Sequence, residues 1–421
     1  MKKLMMSMVA APLIMSSMVS VASAADDGFN ILSDVKFKGE VRPRYEFKDN
    51  SGSALDAGNS FTNRTNLNIQ GTLLEVDGLN ATLELNAVND LNTLDNVGQQ
   101  TAGEADVAKM SQANIAYTVS GVTGIVGRKT VNLDNQRFIG SVGWKQNFQT
   151  LDLAAVAYGN DNLSVLLAYV YGVNAIGDSG YGTKGQVYNG VTASGGTSSV
   201  ALNVSYKIAD PIKLTAYGYL LGSVSDTYGI SATGDVKLDD SMKLDYRAEF
   251  AVQKDSSLEY DNLGPKSTNV DANYYNLDVG ANLSGILLGA NYEVLGAGND
   301  TAVNGSFQTP LATKHKFNGW ADQFLKTPAG GLQDLNLRAG YKAKDFGKVL
   351  AVYHMFSTDE EMAGKSDLGS EFDAVYVNKI PGVSGLTGMV KAAFYSGGDV
   401  ATYTDDQTMA WLMLDYKFAT K

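Results

Sequence analysis

The chain has 421 residues, a formal net charge of −12 and no cysteine, so it carries neither a disulfide framework nor a thiolate metal site. Nucleic-acid binding needs clustered basic surface, and this acidic chain gives no indication of it. The mean hydropathy of −0.12 argues against a bundle of membrane helices.

The N-terminus predicts export. Lys2 and Lys3 precede an apolar stretch over residues 4–21, and Ala22-Ser23-Ala24 then forms a small-residue cleavage site. An N-terminal membrane helix is the alternative, but proline and serine interrupt the stretch and the cleavage motif ends it. We therefore expect residues 1–24 to be a signal peptide and residues 25–421 to form a single domain.

The first predicted strand alternates strictly. Residues 35–47 read Val-Lys-Phe-Lys-Gly-Glu-Val-Arg-Pro-Arg-Tyr-Glu-Phe, with a charge at every second position. Successive side chains of a strand point to opposite faces, so one face suits apolar surroundings and the other suits water. The pattern recurs along the chain and is typical of a transmembrane β-barrel with lipid outside and a wet lumen inside.

The alternation predicts an all-β fold, a transmembrane antiparallel up-and-down barrel of about eighteen strands. Short turns, as at 75–78 and 283–285, alternate with long loops, notably 132–148 and 297–333, and the short turns are expected on the periplasmic side. In the last strand Leu412 and Leu414 should face lipid and Trp411 the lumen, and this strand should close against the first. The expected strands are 35–47, 61–74, 79–89, 110–120, 124–131, 149–158, 162–171, 198–206, 212–221, 228–234, 242–253, 272–282, 286–296, 334–342, 349–356, 369–378, 386–395 and 406–418.

Charges of both signs fall at lumen-facing positions. Fixed charges in a narrow aqueous path select permeant ions by the sign of their charge. Arginines predominate among the basic residues at these positions, and guanidinium groups suit carboxylates, so these residues favour small anionic solutes. The alternative is that these groups neutralise one another in the wall. The predicted pore-lining residues are Arg42, Arg44, Arg64, Glu84, Arg128, Arg247, Asp278, Glu293, Arg338, Asp373 and Lys391.

Little in the chain indicates catalysis. The two histidines, His315 in a long loop and His354 in a strand, have no nucleophile–base motif around them. Acidic loop residues could bind divalent cations, but their spacing matches no cation-binding loop. We expect no enzyme activity, no cofactor and no metal.

Two loop segments carry a family resemblance. Residues 132–144 read Asn-Leu-Asp-Asn-Gln-Arg-Phe-Ile-Gly-Ser-Val-Gly-Trp after Gly-Arg-Lys at 127–129, and residues 315–325 read His-Lys-Phe-Asn-Gly-Trp-Ala-Asp-Gln-Phe-Leu. Both resemble stretches of the alginate-export-like family of Gram-negative outer-membrane porins. The resemblance implies a monomeric eighteen-stranded barrel that passes a polyuronate or another saccharide, although the sequence leaves a trimer open. It also carries over the motif residues Arg128, Asn135, Arg137, Trp144, Trp320 and Asp322.

The loop at 297–331 is the longest predicted connection and carries an apolar set, Phe317, Trp320, Phe324 and Leu325, at helical spacing. We expect a short helix folded into the mouth as a gate, the alternative being a loop that only caps the rim. The chain as a whole reads as a passive channel in the outer membrane of a Gram-negative bacterium. Its partners would be outer-membrane lipid and small hydrophilic solutes, anionic or saccharide. The alternative is a structural or adhesive surface barrel with a closed lumen.

Overall fold

The computed structural model describes residues 30–92, 98–176, 187–188, 191–192, 195–258, 270–299 and 305–420. The predicted signal peptide, residues 1–24, lies outside this range. Eighteen antiparallel strands form one sheet, in which each strand pairs with its neighbours in sequence. They are β1 Leu32–Asn50, β2 Gly58–Leu73, β3 Leu79–Asp90, β4 Val107–Val119, β5 Val122–Lys129, β6 Thr150–Gly159, β7 Leu163–Asn174, β8 Gly195–Ala209, β9 Ile212–Leu221, β10 Ser225–Lys237, β11 Met242–Lys254, β12 Asp271–Leu283, β13 Ile286–Leu295, β14 Leu332–Ala343, β15 Gly347–Met362, β16 Lys365–Lys379, β17 Leu386–Ser396 and β18 Gln407–Ala419.

The sheet closes between its first and last strands. In this seam Gly39 pairs with Phe418 and Glu46 with Trp411. The Phe418 ring lies over Gly39 so closely that a Cβ there would stand 2.2 Å from the ring, so any larger residue would displace the ring. Closure leaves no unpaired sheet edge, which is what a bilayer requires of strands that span it. The predicted closed barrel of eighteen strands is confirmed.

Side chains alternate between the lipid face and the lumen face of the wall as the sequence pattern predicts. In β18, Leu412 on the outer face is 57% exposed, while Met409 and Trp411 on the lumen side are 5% and 2% exposed. In β11 the same contrast separates Phe250, at 42%, from Glu249, at 6%. Across the described residues, no helix has both the length and the apolar character needed to span a membrane.

Short turns lie at one end of the barrel and most long loops at the other. The turns include 120–121 and 284–285, and the loops include 130–149 and 296–331. Asp359, Glu360 and Glu361 follow the expected strand 349–356 and would then be loop residues, but they belong to β15, which extends with β16 to a two-residue turn at 363–364. A separate pair of two-residue strands, Val187–Tyr188 and Val191–Thr192, lies in the connection between β7 and β8.

Candidate functional site

The lumen is narrowed by two loops that fold inward, residues 130–149 (the first inward loop) and residues 305–331 (the second inward loop). Arg42 on β1, 5% exposed, fixes the first of them. Its guanidinium donates to the carbonyl oxygens of Gly143, Trp144 and Lys145 at 3.1, 3.0 and 2.7 Å, and its Nε donates to Gln146 Oε1 at 2.9 Å. Arg42 therefore holds the backbone of the first inward loop in place, and none of these four bonds is to a carboxylate.

Aromatic packing fixes the second inward loop. Phe307 is fully buried and lies 5.4 Å from Tyr274, centroid to centroid. Phe324, 7% exposed, lies 4.6 Å from Phe356 of β15. Leu325 is 38% exposed and contributes little to this contact. Of the predicted apolar set, Phe324 is therefore buried against the inner wall, whereas Phe317 and Trp320 are half-buried.

The short helix predicted in this loop does not form. Lys314, Asn318, Gly319 and Asp322 have φ angles of 57°, 56°, 84° and 60°. A right-handed helix requires negative φ throughout, so the segment folds as successive turns instead. Helical spacing of aromatic residues was a misleading signal here, because each ring has a separate partner. Phe317 contacts Arg137 of the other loop, Trp320 contacts Lys391 and Phe324 contacts Phe356.

The two inward loops bind each other through backbone groups. The Gly140 N–H donates to the Leu311 carbonyl at 2.9 Å, and the Thr313 N–H donates to the Gln136 carbonyl at 3.1 Å. A buried backbone N–H or C=O group costs free energy when it has no hydrogen-bond partner. These bonds give such partners to loop residues that belong to no strand. The loops therefore form one unit across the lumen.

An ion pair ties the first inward loop to the opposite wall. Arg137 Nε and Nη2 donate to the two carboxylate oxygens of Glu293 on β13, at 2.7 and 3.2 Å, and both side chains are 3% exposed. Asn318 of the second inward loop and Tyr274 of β12 also donate to this carboxylate, each at 2.7 Å. Burial alone would lower the pKa of Arg137, but the Glu293 carboxylate outweighs it and raises the pKa.

All three tryptophans of the chain converge on one lysine. The Nζ of Lys391 on β17 lies 4.0 Å from the ring centroid of Trp144, 3.9 Å from that of Trp320 and 5.2 Å from that of Trp411. An ammonium over aromatic faces is attracted by their negative π surface, most strongly where water is excluded. Lys391 is 6% exposed. We call these four residues the tryptophan cage; it joins both inward loops to β17 and β18.

His315 links the tryptophan cage to a carboxylate. Its Nε2 lies 2.6 Å from Lys391 Nζ, and its Nδ1 lies 2.8 Å from Asp322 Oδ1. Because an ammonium can only donate, Nε2 accepts and the proton sits on Nδ1, which donates to Asp322. Burial lowers the pKa of His315 to about 3, so the imidazole is neutral. Its ring stacks on Trp144 with centroids 4.5 Å apart.

The remaining predicted pore residues are mostly engaged in the wall. Arg44 pairs with Glu46 at 2.7 Å, Arg64 with Glu40 at 2.5 Å, Arg247 with Glu249 at 2.8 Å and Arg338 with Asp278 at 2.7 Å. Glu84 accepts from Ser111 at 2.7 Å, and Asp373 accepts from the Trp320 N–H at 3.2 Å. This pairing corresponds to the alternative in which lumen charges neutralise one another.

Arg128 lies on the outer face of the sheet, whereas a pore-lining residue would lie on the lumen face. It pairs with Asp152 at 2.7 Å, and Asp152 stands between the lumen-side residues Leu151 and Leu153, which are 3% and 2% exposed. The alternation within β5 gives the reason. Val126 is 54% exposed on the outer face, and Arg128 follows it by two residues, whereas Ile125 packs against the lumen-side core.

Beneath the two loops lies a chamber of about 720 Å³. Its charged lining includes Arg247, Asp278, Glu293, Arg338 and Lys391 of the predicted pore set, together with Lys316 and Lys348. Asn135, Trp144 and Trp320 of the family motifs also line it, whereas Asp322 lies behind, against His315. Three asparagines on neighbouring strands, Asn276, Asn291 and Asn336, add neutral hydrogen-bonding groups. Among the described residues, no group of three or more His, Cys, Asp or Glu is placed to hold a metal ion.

Sequence reasoning missed the part that His315, Trp411 and Gln146 play in this site. The presence of only three tryptophans, two of them in the resembling loop motifs, was the available signal. The lysine on which they converge belongs to a strand far away in sequence.

The fold matches solved outer-membrane channels. Pseudomonas aeruginosa OccK8 (OprE) superposes with a TM-score of 0.71 at 14% identity, over 93% of this chain and 100% of that chain. Acinetobacter baumannii OccAB2 gives 0.71 at 14% identity, over 93% and 99%. P. aeruginosa OpdK, solved with vanillate, gives 0.68 at 12% identity, over 93% and 100%.

The chain is an eighteen-stranded barrel that resembles the OprD/Occ channels. Identities this low show the fold alone. No family model matches the chain, and no curated protein does. The resemblance to alginate-export-like porins therefore stays a prediction.

Proposed function

We propose that this protein is a passive outer-membrane channel for small hydrophilic solutes, with a preference for anions. The observation that carries the proposal is the chamber of about 720 Å³ beneath the two inward loops, which is large enough for water and a small solute. A structural barrel has no need of such a chamber with charged and amide groups aimed into it.

The preference for anions rests on the charged side chains of the chamber that have no ion-pair partner. Lys316 Nζ donates to the Asn135 carbonyl at 2.9 Å, and Lys348 has Lys342 and Arg338 as its charged neighbours. Asp278 and Glu293 in the same chamber are each paired with an arginine. The whole lining has five basic side chains (Arg247, Lys316, Arg338, Lys348 and Lys391) and four carboxylates (Asp245, Asp278, Glu293 and Asp334), which is an excess of one positive charge. A positive field in a low-dielectric channel concentrates anions.

Two classes of solute suit this lining. Vanillate, with which OpdK was solved, is a small aromatic carboxylate, and the ammonium groups of Lys316 and Lys348 in the chamber lining would attract such a solute. The resemblance to alginate-export-like porins favours an acidic saccharide, and the chamber's asparagines would serve the hydroxyl groups of such a solute. Both are carboxylates, so the charge argument applies to either.

Single-channel recording in planar bilayers tests the proposal. We expect discrete ion-conducting steps with a reversal potential on the anion-selective side in a salt gradient. Deleting residues 312–328, which carry Trp320 and His315, should increase the conductance of a folded barrel. A wild-type protein that inserts and passes no current would support the alternative, a structural or adhesive barrel with a closed lumen.

A further inference from the structure

One sector of the lumen wall is apolar, although the interior of a water-filled barrel is normally polar. Ala155, Ala168 and Ala201 lie on β6, β7 and β8 and are direct cross-strand partners, so they form one row across three strands. They are 7%, 4% and 5% exposed. Leu153 and Val170 pair directly above this row. The three alanines therefore form a shallow floor between larger side chains.

The first inward loop covers this floor without filling it. Leu133 and Ile139 of the loop face the alanine row, and a recess of about 210 Å³ remains between loop and wall. The recess is partly open, and its volume is several times the roughly 30 Å³ that one water molecule occupies in the liquid. An apolar cavity of roughly 150 Å³ in another protein stays dry and binds benzene. The recess is thus large enough for one aromatic ring.

The charges around the recess decide what kind of ring fits. Its lining has no carboxylate, and of the described residues that form it Lys129 is the one ionisable side chain. A cation would find no counter-ion there, and a charged group buried among alanine and leucine would lose its hydration. Thr130 and Asn132 at the loop side can serve one hydroxyl group.

We propose that this recess is a binding site for an uncharged single-ring aromatic molecule, separate from the charged chamber. The site lies under the first inward loop, so its occupant would pack between Leu133 and the alanine row. Burial of apolar surface in a preformed pocket supplies the affinity.

Ala155 and its neighbour Ala154 provide a matched pair of variants. Ala155→Phe places a ring inside the recess, whereas Ala154→Phe places the same ring on the lipid face, where Ala154 is exposed. The probe is 4-fluorophenol, a phenol that is uncharged at pH 7, titrated by fluorine NMR against the full-length protein in lipid nanodiscs. Empty nanodiscs give the non-saturable partitioning of the probe into lipid.

We expect saturable binding to the wild type and to Ala154→Phe, and at least a tenfold loss of that affinity in Ala155→Phe. Ala168→Val, a smaller change in the same row, should weaken binding less, and it serves if Ala155→Phe does not fold. Wild-type protein with only the signal of empty nanodiscs would overturn the proposal. So would folded Ala155→Phe or Ala168→Val protein that binds as the wild type does.

Discussion

Replacing Arg137 with methionine should release the first inward loop from the barrel wall. The variant nearly keeps the length of the side chain but leaves the carboxylate of Glu293, whose side chain is 3% exposed, without its cation. Breaking a buried ion pair from one side costs about 3–5 kcal/mol, because the remaining charge is uncompensated. Tyr274 and Asn318 still donate to this carboxylate, so we expect the lower end of the range. About 3 kcal/mol corresponds to a shift of roughly a hundredfold in the ratio of released to docked loop.

Single-channel recording is the assay, because a released loop widens the path. We expect frequent transitions to a larger conductance in Arg137→Met, and a smaller effect when Glu293→Gln is added, since the double variant leaves no buried charge. Arg128→Met is the matched control. It breaks a pair with Asp152 in which both side chains are about a quarter exposed and both belong to wall strands outside the chamber lining, so neither inward loop loses an anchor. Identical conductance distributions for the wild type and Arg137→Met would refute the reasoning.

Three further outcomes follow from the structure. Ala248→Arg on the lipid face should cost about 2–4 kcal/mol of unfolding free energy in liposomes, while Ala248→Leu should be nearly neutral. Burial lowers the pKa of His315 from 6.5 to about 3, so the docked loop binds fewer protons than the released loop between these values. Docking should therefore weaken by about 1.4 kcal/mol per unit as pH falls through that window, with more open-channel current, and His315→Gln should abolish the dependence. Removing Lys316 and Lys348 together as glutamines should move the reversal potential towards cations in dilute salt, and by less at 1 M salt, where the Debye length is about 3 Å. An unchanged potential would show that neither lysine faces the permeant ion.

The barrel was readable from the sequence because its determinants are local. Each strand must present apolar side chains to lipid and polar ones to the lumen, so residues 35–47 and the last strand show the period directly. The pairing of neighbours then follows from short turns such as 120–121, and closure follows from the absence of any tolerated edge in a bilayer. These constraints act within a strand or between adjacent strands, which is why eighteen strands could be predicted one by one.

The partners of the charges and the paths of the two inward loops depended on contacts between residues far apart in sequence. Arg42 binds the backbone at 143–145, and Lys391 meets tryptophans from three separate segments, so no local pattern announces either contact. Arg128 lies on the outer face because it alternates in phase with the exposed Val126, and a phase that is wrong by one residue reverses every side chain of a strand. Sequence thus determined which residues could face the lumen, and the tertiary structure decided which of their charges remain available to a solute.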